Sequence, residues 1–271
     1  MEPFSVRSGR TAEVWRVVAR VHDPELDEPV TDMGFVEKIE VADDGSVELD
    51  FRLPTYWCSP NFAFLMLDGL REALESLPWR PRFHITLHDH LFADEVNKGI
   101  AEGKPFAEIF DSLSPLDDLA QLRETFLRKA FQRRQEAALV GLREAGWADD
   151  DILALDCGTL DKASVGPELT VRLTRYLDAM RARFPRAADD AAAFVAWEGA
   201  PLSAAELPDY LGKLRAVRIN MEFNGALCRG LKQARYREKA AADGELTLVD
   251  FIPAEPRPDA SALERHRAAQ S

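Results

Sequence analysis

The sequence lacks the motifs and cysteine patterns on which the common catalytic and metal sites depend. Its 271 residues contain three cysteines, Cys58, Cys157 and Cys228. They form no CxxC pair and no Cys/His cluster of zinc-finger spacing. GxGxxG, Walker, GxSxG and HExxH motifs are absent, as is the ExxH pair of di-iron bundles. An odd cysteine count argues against a disulfide framework, so a cysteine with chemistry acts alone or with a second chain.

Long apolar runs are also missing, and positive charge is scarce. The apolar stretches are broken by charged residues, so no transmembrane helix is expected, and the N-terminus has no apolar core of a secretory signal. Lys and Arg number 34 against 47 Asp and Glu, which gives a net charge of −13. Such acidity disfavours nucleic acid and anionic membranes as partners. We therefore expect a cytoplasmic protein with no nucleic-acid partner and no membrane partner.

The first hundred residues alternate between helical and strand periodicity. Asp44 and Gly45 lie in a predicted hairpin turn, and Ser59 with Pro60 is typical of a helix N-cap and first position. The predicted order is a helix over 11–22, strands over 35–41 and 46–53, a helix from Pro60 that ends before Pro78, a strand over 82–88 and a helix over about 93–101.

The second half has mainly helical periodicity. Ser114 followed by Pro115 is typical of a helix start, and Ser203 with Glu206 forms a capping box. Residues 246–252 are apolar, and the pattern leaves them open as a strand or a docking segment. The predicted helices include 149–155, 167–183, 188–197 and 203–238, the last with an apolar stripe of Ile219, Phe223, Ala226 and Leu231.

Together these patterns predict an α+β protein. We expect a small N-terminal α/β domain with a three-stranded sheet over residues 1–111. A mainly α-helical domain should follow over 112–252, and a mobile tail over 253–271.

Cys58 is the first candidate for chemistry. It lies just before the helix predicted from Pro60, where unpaired N–H groups and the helix dipole stabilise a thiolate. A thiolate binds iron or attacks an electrophile. An inert buried cysteine is the alternative, and the sequence leaves both open. Cys157 and Cys228 are interpreted as structural.

Two further groups contain residues able to bind metals. His84, His88 and His90 share one face if their strand is unbroken. An exposed polar face is preferred for His84, and the role of the other two stays open. Acidic residues in the loop after the first helix could ligate a hard cation, although loop capping is the more common role. They are Asp23, Glu25, Asp27, Glu28 and Asp32.

The segments Asp23-Pro24-Glu25-Leu26 and Met33-Gly34-Phe35-Val36 resemble the signature of the small iron–sulfur assembly family. That family includes the eukaryotic cytosolic assembly component, SufT-like bacterial factors and the PaaD-like proteins of phenylacetate degradation. The resemblance continues through Thr55 and Cys58 to His90 and residues 94–98, and covers roughly residues 11–110. One departure is that Ser59 separates Cys58 from the proline that follows the family's cysteine directly.

This resemblance implies a carrier or targeting role in cluster assembly, with Cys58 as the ligand of iron or an iron–sulfur cluster held transiently. The implied partners are a client metalloprotein and other assembly factors. Because one cysteine cannot complete a four-cysteine site, bridging by a client or a homodimer is expected. The supporting residues expected near Cys58 are Asp23, Glu25, Asp32, Thr55, His88 and His90.

Two functions stay open. The first is a chaperone-like maturation factor whose helical domain docks the client, with a multicomponent di-iron monooxygenase as the client that the PaaD-like members suggest. The second is a non-catalytic adaptor that binds only protein. An enzyme is not favoured, because no base can be paired with Cys58 from the sequence.

Overall fold

The computed structural model describes residues 4–110 and 117–235. Its N-terminal part holds a three-stranded sheet and its second part is mainly helical, which confirms the predicted α+β class. In chain order the elements are α1 (Phe4–Val18), β1 (Val36–Val41), β2 (Val47–Arg52), α2 (Pro60–Glu75), β3 (Phe83–His88), α3 (Ala93–Ala101), α4 (Phe106–Ile109), α5 (Asp117–Glu144), α6 (Asp149–Leu153), α7 (Cys157–Asp161), α8 (Pro167–Arg183) and α9 (Leu207–Arg235).

The sheet has the strand order β1-β2-β3. β1 and β2 form an antiparallel hairpin whose turn places Gly45 at a φ of +80°, a conformation that glycine adopts without steric cost. β3 is parallel to β2, and the connection between them contains α2. Along β2, Val47, Leu49 and Phe51 are buried, as the alternating sequence predicts.

Helices α1, α2 and α3 pack beside one another against the sheet and enclose the first hydrophobic core. α1 ends at Val18, four residues earlier than predicted. The chain leaves the helix because Val21 accepts a backbone hydrogen bond from Val30, and His22 forms a bridge with Pro29. Residues 23–28 are thereby held in a tight loop, called here the acidic loop.

The helical part has a separate core, formed mainly by α5, α8 and the first half of α9. The proposed domain limits stay predictions, and the boundary at 111/112 lies outside the described residues. So do the predicted helix start at Ser114, the apolar run 246–252 and the tail 253–271. No described helix is both long enough and apolar enough to cross a bilayer.

The helix predicted over 188–197 is wrong. This segment is irregular, with one bridge from Ala192 to Asp156 and another from Val195 to Pro201. The carbonyl groups of Ala193 and Val195 accept hydrogen bonds from buried side chains of α8 and α5. These tertiary bonds outweigh the helix propensity of its alanines, which is a weak preference.

The apolar stripe predicted on α9 faces solvent. Phe223 is 67% exposed, and Ile219, Ala226 and Leu231 are exposed as well. The opposite face of the helix is buried. Its inward residues are Leu207, Leu211, Leu214, Met221 and Gly225.

Candidate functional site

Cys58 lies in the connection between β2 and α2. Ser59 is the N-cap of α2 and Pro60 its first residue, as predicted, but the Ser59 side chain makes no capping hydrogen bond. Cys58 therefore precedes the cap by one residue. Its side chain is half-buried and packs against the first core.

His90 is hydrogen-bonded to the backbone of the connection that contains Cys58. Its Nε2 donates to the carbonyl oxygen of Cys58 at 2.8 Å, and its Nδ1 accepts from the backbone of Phe92 at 3.2 Å. Burial lowers the pKa of His90, which favours the neutral ring that this pair of bonds requires. With both ring nitrogens occupied, His90 positions the cysteine loop and is not available as a metal ligand.

The three histidines do not share one face. β3 ends at His88, and Asp89 has a φ of +50°, which turns the chain so that His90 is buried. His88 stays on the outer face of the sheet, where its Nε2 lies 2.8 Å from Asp50 Oδ1. His84 is exposed on that same face. Only His90 is therefore brought to Cys58.

Asp23 is buried at the start of the acidic loop. Its Oδ1 accepts from the backbone N–H groups of Glu25 and Leu26, each at 2.9 Å. Burial, opposed in part by these two bonds, raises the pKa of Asp23 to about 6. Charge on Asp23, and to a smaller degree on Glu25, acts on the Cys58 thiol, so both carboxylates lie within electrostatic range of the sulfur.

The remaining predicted site residues differ in their surroundings. Thr55 is buried in the connection that leads to Cys58. Asp32 is exposed and accepts a hydrogen bond from Thr31 at 3.2 Å. The role predicted for each stays a prediction.

Other residues of the acidic loop join the two parts of the molecule. Asp27 is buried with a φ of +52°, and its carboxylate pairs with both nitrogens of the Arg134 fork at 2.8 and 2.5 Å. Glu28 pairs with Arg229 at 2.6 Å and with Arg133 at 3.5 Å. These carboxylates are used for domain docking, which is a variant of the structural role that the sequence favoured.

Of the two states that the sequence left open for Cys58, the surroundings favour the protonated thiol. Burial, followed by charge on Cys228 and Asp23, raises the pKa of Cys58 to about 12. A backbone hydrogen bond from Ser59 opposes this rise only in part. The surroundings of Cys58 thus favour its protonated form.

Cys228, which the sequence analysis interpreted as structural, lies within electrostatic range of Cys58. It lies in the C-terminal half of α9, is half-buried and packs against the first core. Burial and the charges of Asp23 and Glu25 raise its pKa to about 11. Asn224 and Arg229, which lie beside it on α9, face the acidic loop.

A cleft of about 690 Å³ opens between the two parts of the molecule. Asp23 and Asp27 line it from the acidic loop, and Arg123 and Arg134 line it from α5. Within residues 4–110 and 117–235, no group of three or more His, Cys, Asp or Glu side chains is arranged to hold a metal ion. A metal ion bound by these residues would therefore need additional ligands from elsewhere.

Comparison with known proteins shows which family the N-terminal part resembles. Residues 11–82 match the family described as "Iron-sulfur cluster assembly protein". The N-terminal part is therefore similar to this family, and is called here the assembly domain. The family resemblance predicted from the sequence is thereby confirmed, and the match indicates a role in iron–sulfur assembly. The match includes Cys58 and the acidic loop, whereas the C-terminal region has no family assignment.

One archaeal protein is similar to part of this chain. The chain is 26% identical over 90 residues to the uncharacterized protein MJ1129 of Methanocaldococcus jannaschii. That alignment covers 33% of this chain and 93% of the archaeal protein. A stretch of 90 residues of this chain is thus similar to nearly the whole of a shorter protein.

Proposed function

We propose that this protein receives iron or an iron–sulfur cluster at Cys58 and delivers it to a client metalloprotein. One observation carries the proposal: Cys58 lies within the family match, at the edge of the core, within electrostatic range of a carboxylate that is buried at a cost in stability. Perturbed groups of this kind gather at functional sites. The cargo is a substrate that passes through the site.

The neutral thiol suits a carrier. A thiolate is the form that oxidises readily, so a protonated Cys58 is protected while the site is empty. When a cation binds, the sulfur gives up its proton and forms the metal–sulfur bond, with no change in oxidation state. The negative charges of Asp23 and Glu25, which hold the proton on the sulfur, also attract the cation that displaces it.

An exposed aromatic residue adjoins the site and is a suitable contact for a client. Trp57, next to Cys58, is 61% exposed. Its ring packs edge-on against the ring of Tyr56, with the ring centres 4.7 Å apart. Leu91 is also exposed and donates its backbone N–H to Tyr56. Exposed aromatic residues commonly anchor protein interfaces. A multicomponent di-iron monooxygenase is the client that we propose, on the PaaD-like resemblance alone.

The second candidate function is a non-catalytic adaptor. The exposed apolar stripe of α9 favours it, because Ile219, Phe223 and Leu227 recur every four residues along one side of the helix. Surfaces of this kind are typical of protein-binding sites. An adaptor would need this stripe and would not need the Cys58 sulfur.

Anaerobic reconstitution with ferrous iron and sulfide separates the two functions. We expect wild type to develop the visible absorption of a cluster and to transfer it to an apo-ferredoxin as a surrogate acceptor. Cys58→Ala should lower both cluster content and transfer at least about 10-fold, the lower range for damage to a metal site. Cys157→Ala, which alters the helical core, is the matched control and should behave as wild type.

Equal cluster content and equal transfer in wild type and Cys58→Ala would contradict the carrier function. If that variant also kept its activity toward a client while Phe223→Ser lost it, the adaptor function would be supported instead.

A further inference from the structure

We propose that Cys228 supplies a second sulfur ligand to the cargo held at Cys58, so that the carrier site is a pair of thiols formed between the assembly domain and α9. The inference rests on the proposed function, because it adds a ligand to the same site. It assigns a role to the helical part, which the family match leaves unexplained.

The contacts of α9 place Cys228 toward the assembly domain. One turn before it, Asn224 Nδ2 donates to Glu25 Oε1 at 3.4 Å. One turn after it, the Lys232 ammonium donates to the carbonyl oxygen of Gly34. Residues four apart lie on the same side of a helix. Cys228 therefore points into the same domain as these two neighbours.

The end of α9 reaches the segment that contains Cys58. The Arg235 guanidinium lies 5.3 Å from the centre of the Tyr56 ring and donates to the carbonyl oxygen of Asp89 at 3.2 Å. Tyr56 precedes Cys58 by two residues, and Asp89 precedes His90, which holds the Cys58 carbonyl. Contacts to the acidic loop and to the Cys58 connection thus bracket Cys228 on both sides.

Close packing brings the helix near enough for a shared site. A Cβ placed on Gly225 would lie 3.3 Å from Glu28 Oε1, so the helix lies close to the acidic loop at this position. Arg229, next to Cys228, pairs with the same Glu28 at 2.6 Å. The glycine therefore permits the close approach of the turn that carries the cysteine.

The two sulfurs share one electrostatic environment. Charge on Cys228 acts on Cys58, and the carboxylates of Asp23 and Glu25 act on both thiols. Both cysteines pack against the first core, whereas Cys157 belongs to the core of the helical part. All three cysteines are free, so the pair is not locked in a disulfide.

Two thiols are a suitable number for a transient carrier. Thiolates are the preferred ligands of iron in clusters, and two of them satisfy half of a four-cysteine site. Each thiol that binds releases one proton and keeps its oxidation state. The remaining positions on the metal stay open for the client's own ligands, which allows transfer by exchange of one sulfur for another.

Cobalt(II), titrated anaerobically into the whole protein, counts these sulfurs. The intensity of thiolate-to-cobalt charge transfer follows the number of bound thiolates. We expect it to fall by roughly half in Cys58→Ala and in Cys228→Ala, and to vanish in the double variant, because each bound sulfur contributes to it. Cys157→Ala should match wild type.

A second measurement uses the folded wild-type protein without added metal. Phenylarsine oxide captures two thiols only where they can approach each other. It should protect two of the three cysteines of the folded wild type from a thiol reagent, and mass analysis after digestion should identify them as Cys58 and Cys228. Circular dichroism of each alanine variant checks that the fold is kept.

The two proposals fail in different ways. If Cys228→Ala retains wild-type cobalt absorption and arsenical capture does not include Cys228, while Cys58→Ala loses the absorption, the thiol pair is wrong and the proposed carrier function stands. If none of the alanine variants changes the absorption, both proposals are wrong.

Discussion

The helical part and the assembly domain differ in how well their surroundings stabilise particular polar groups. In the helical part, Gln135 Nε2 donates to Tyr176 and to the carbonyl of Val195, Tyr210 donates to Gln135 Oε1, and Tyr176 donates to the carbonyl of Ala193, all within 2.9 Å. In the assembly domain, the buried Asp23 and the half-buried Cys58 lie in surroundings that oppose their charged forms.

This difference separates structural polarity from functional polarity. A buried network whose members hydrogen-bond to one another makes a core rigid and needs no further partner. A buried carboxylate without a cationic partner costs stability, and the carrier function proposed above would offset that cost when a cation binds. The helical part is therefore expected to position and dock, while the proposed chemistry involves the assembly domain and α9.

The largest effect is expected where the two parts meet. Arg134→Ala leaves the buried Asp27 carboxylate without its bidentate partner, and the Arg175 guanidinium at 3.7 Å is a poor substitute. We expect a loss of about 3–5 kcal/mol in the free energy of unfolding, measured with urea, because one charge remains buried and unpaired.

Arg143→Ala is the control for this prediction. The side chains of Arg143 and Asp149 are each 36% exposed. Removing this exposed pair should therefore lower the free energy of unfolding by less than about 1 kcal/mol. Equal losses in the two variants would show that the acidic loop does not hold the domains together.

Asp23→Asn should stabilise the protein, and only at higher pH. Folding raises the pKa of Asp23 from 3.8 to about 6, so its favourable contribution exists at low pH and is lost as the pH rises through about 6. Asparagine removes this loss while its Oδ1 keeps the two backbone bonds. At pH ~8 the variant should gain on the order of 2–3 kcal/mol in unfolding free energy, and little at pH ~4.

Asp32→Asn is the matched change on an exposed carboxyl near the same loop. It should leave the pH dependence of unfolding as in wild type. Parallel stability curves for wild type and Asp23→Asn would mean that Asp23 is not held in an unfavourable site, and the contrast between the two cores would lose its basis.

The smallest effect is expected inside the satisfied network. Tyr176→Phe removes a hydroxyl that donates to the Ala193 carbonyl and accepts from Gln135. The free energy of unfolding should fall by about 1–2 kcal/mol, because one carbonyl is left unpaired while Gln135 keeps Val195 and Tyr210. Cluster loading, measured by visible absorption at a temperature where the variant is folded, should not change. A parallel loss of loading would give the helical core a functional role.

Local patterns predicted the fold of the assembly domain well. The alternation of Val47, Leu49 and Phe51 placed β2, and Ser59 with Pro60 placed the start of α2 within one residue. These features depend on neighbours along the chain. The segment 188–197 was lost because its hydrogen bonds go to side chains of distant helices.

The site was harder to predict than the fold. The spacing of the histidines assumed an unbroken strand, and the left-handed turn at Asp89 separates His90 from His88. The sequence left open whether Cys58 is a thiolate or a protonated thiol, because burial and nearby acids, which raise its pKa, depend on the folded structure. Cys228 depends on contacts about 200 residues apart in sequence, such as Asn224 with Glu25, and no local pattern records those.

Iron bound directly to the sulfur of Cys58 is the central claim, and iron K-edge X-ray absorption tests it most directly. The protein is loaded anaerobically with ferrous iron alone, so that any sulfur next to the iron comes from the protein. We expect sulfur among the atoms bonded to iron in wild type and in Cys157→Ala, and a reduced sulfur contribution in Cys58→Ala. Iron coordinated only by oxygen and nitrogen in wild type, or an unchanged spectrum in Cys58→Ala, would contradict it.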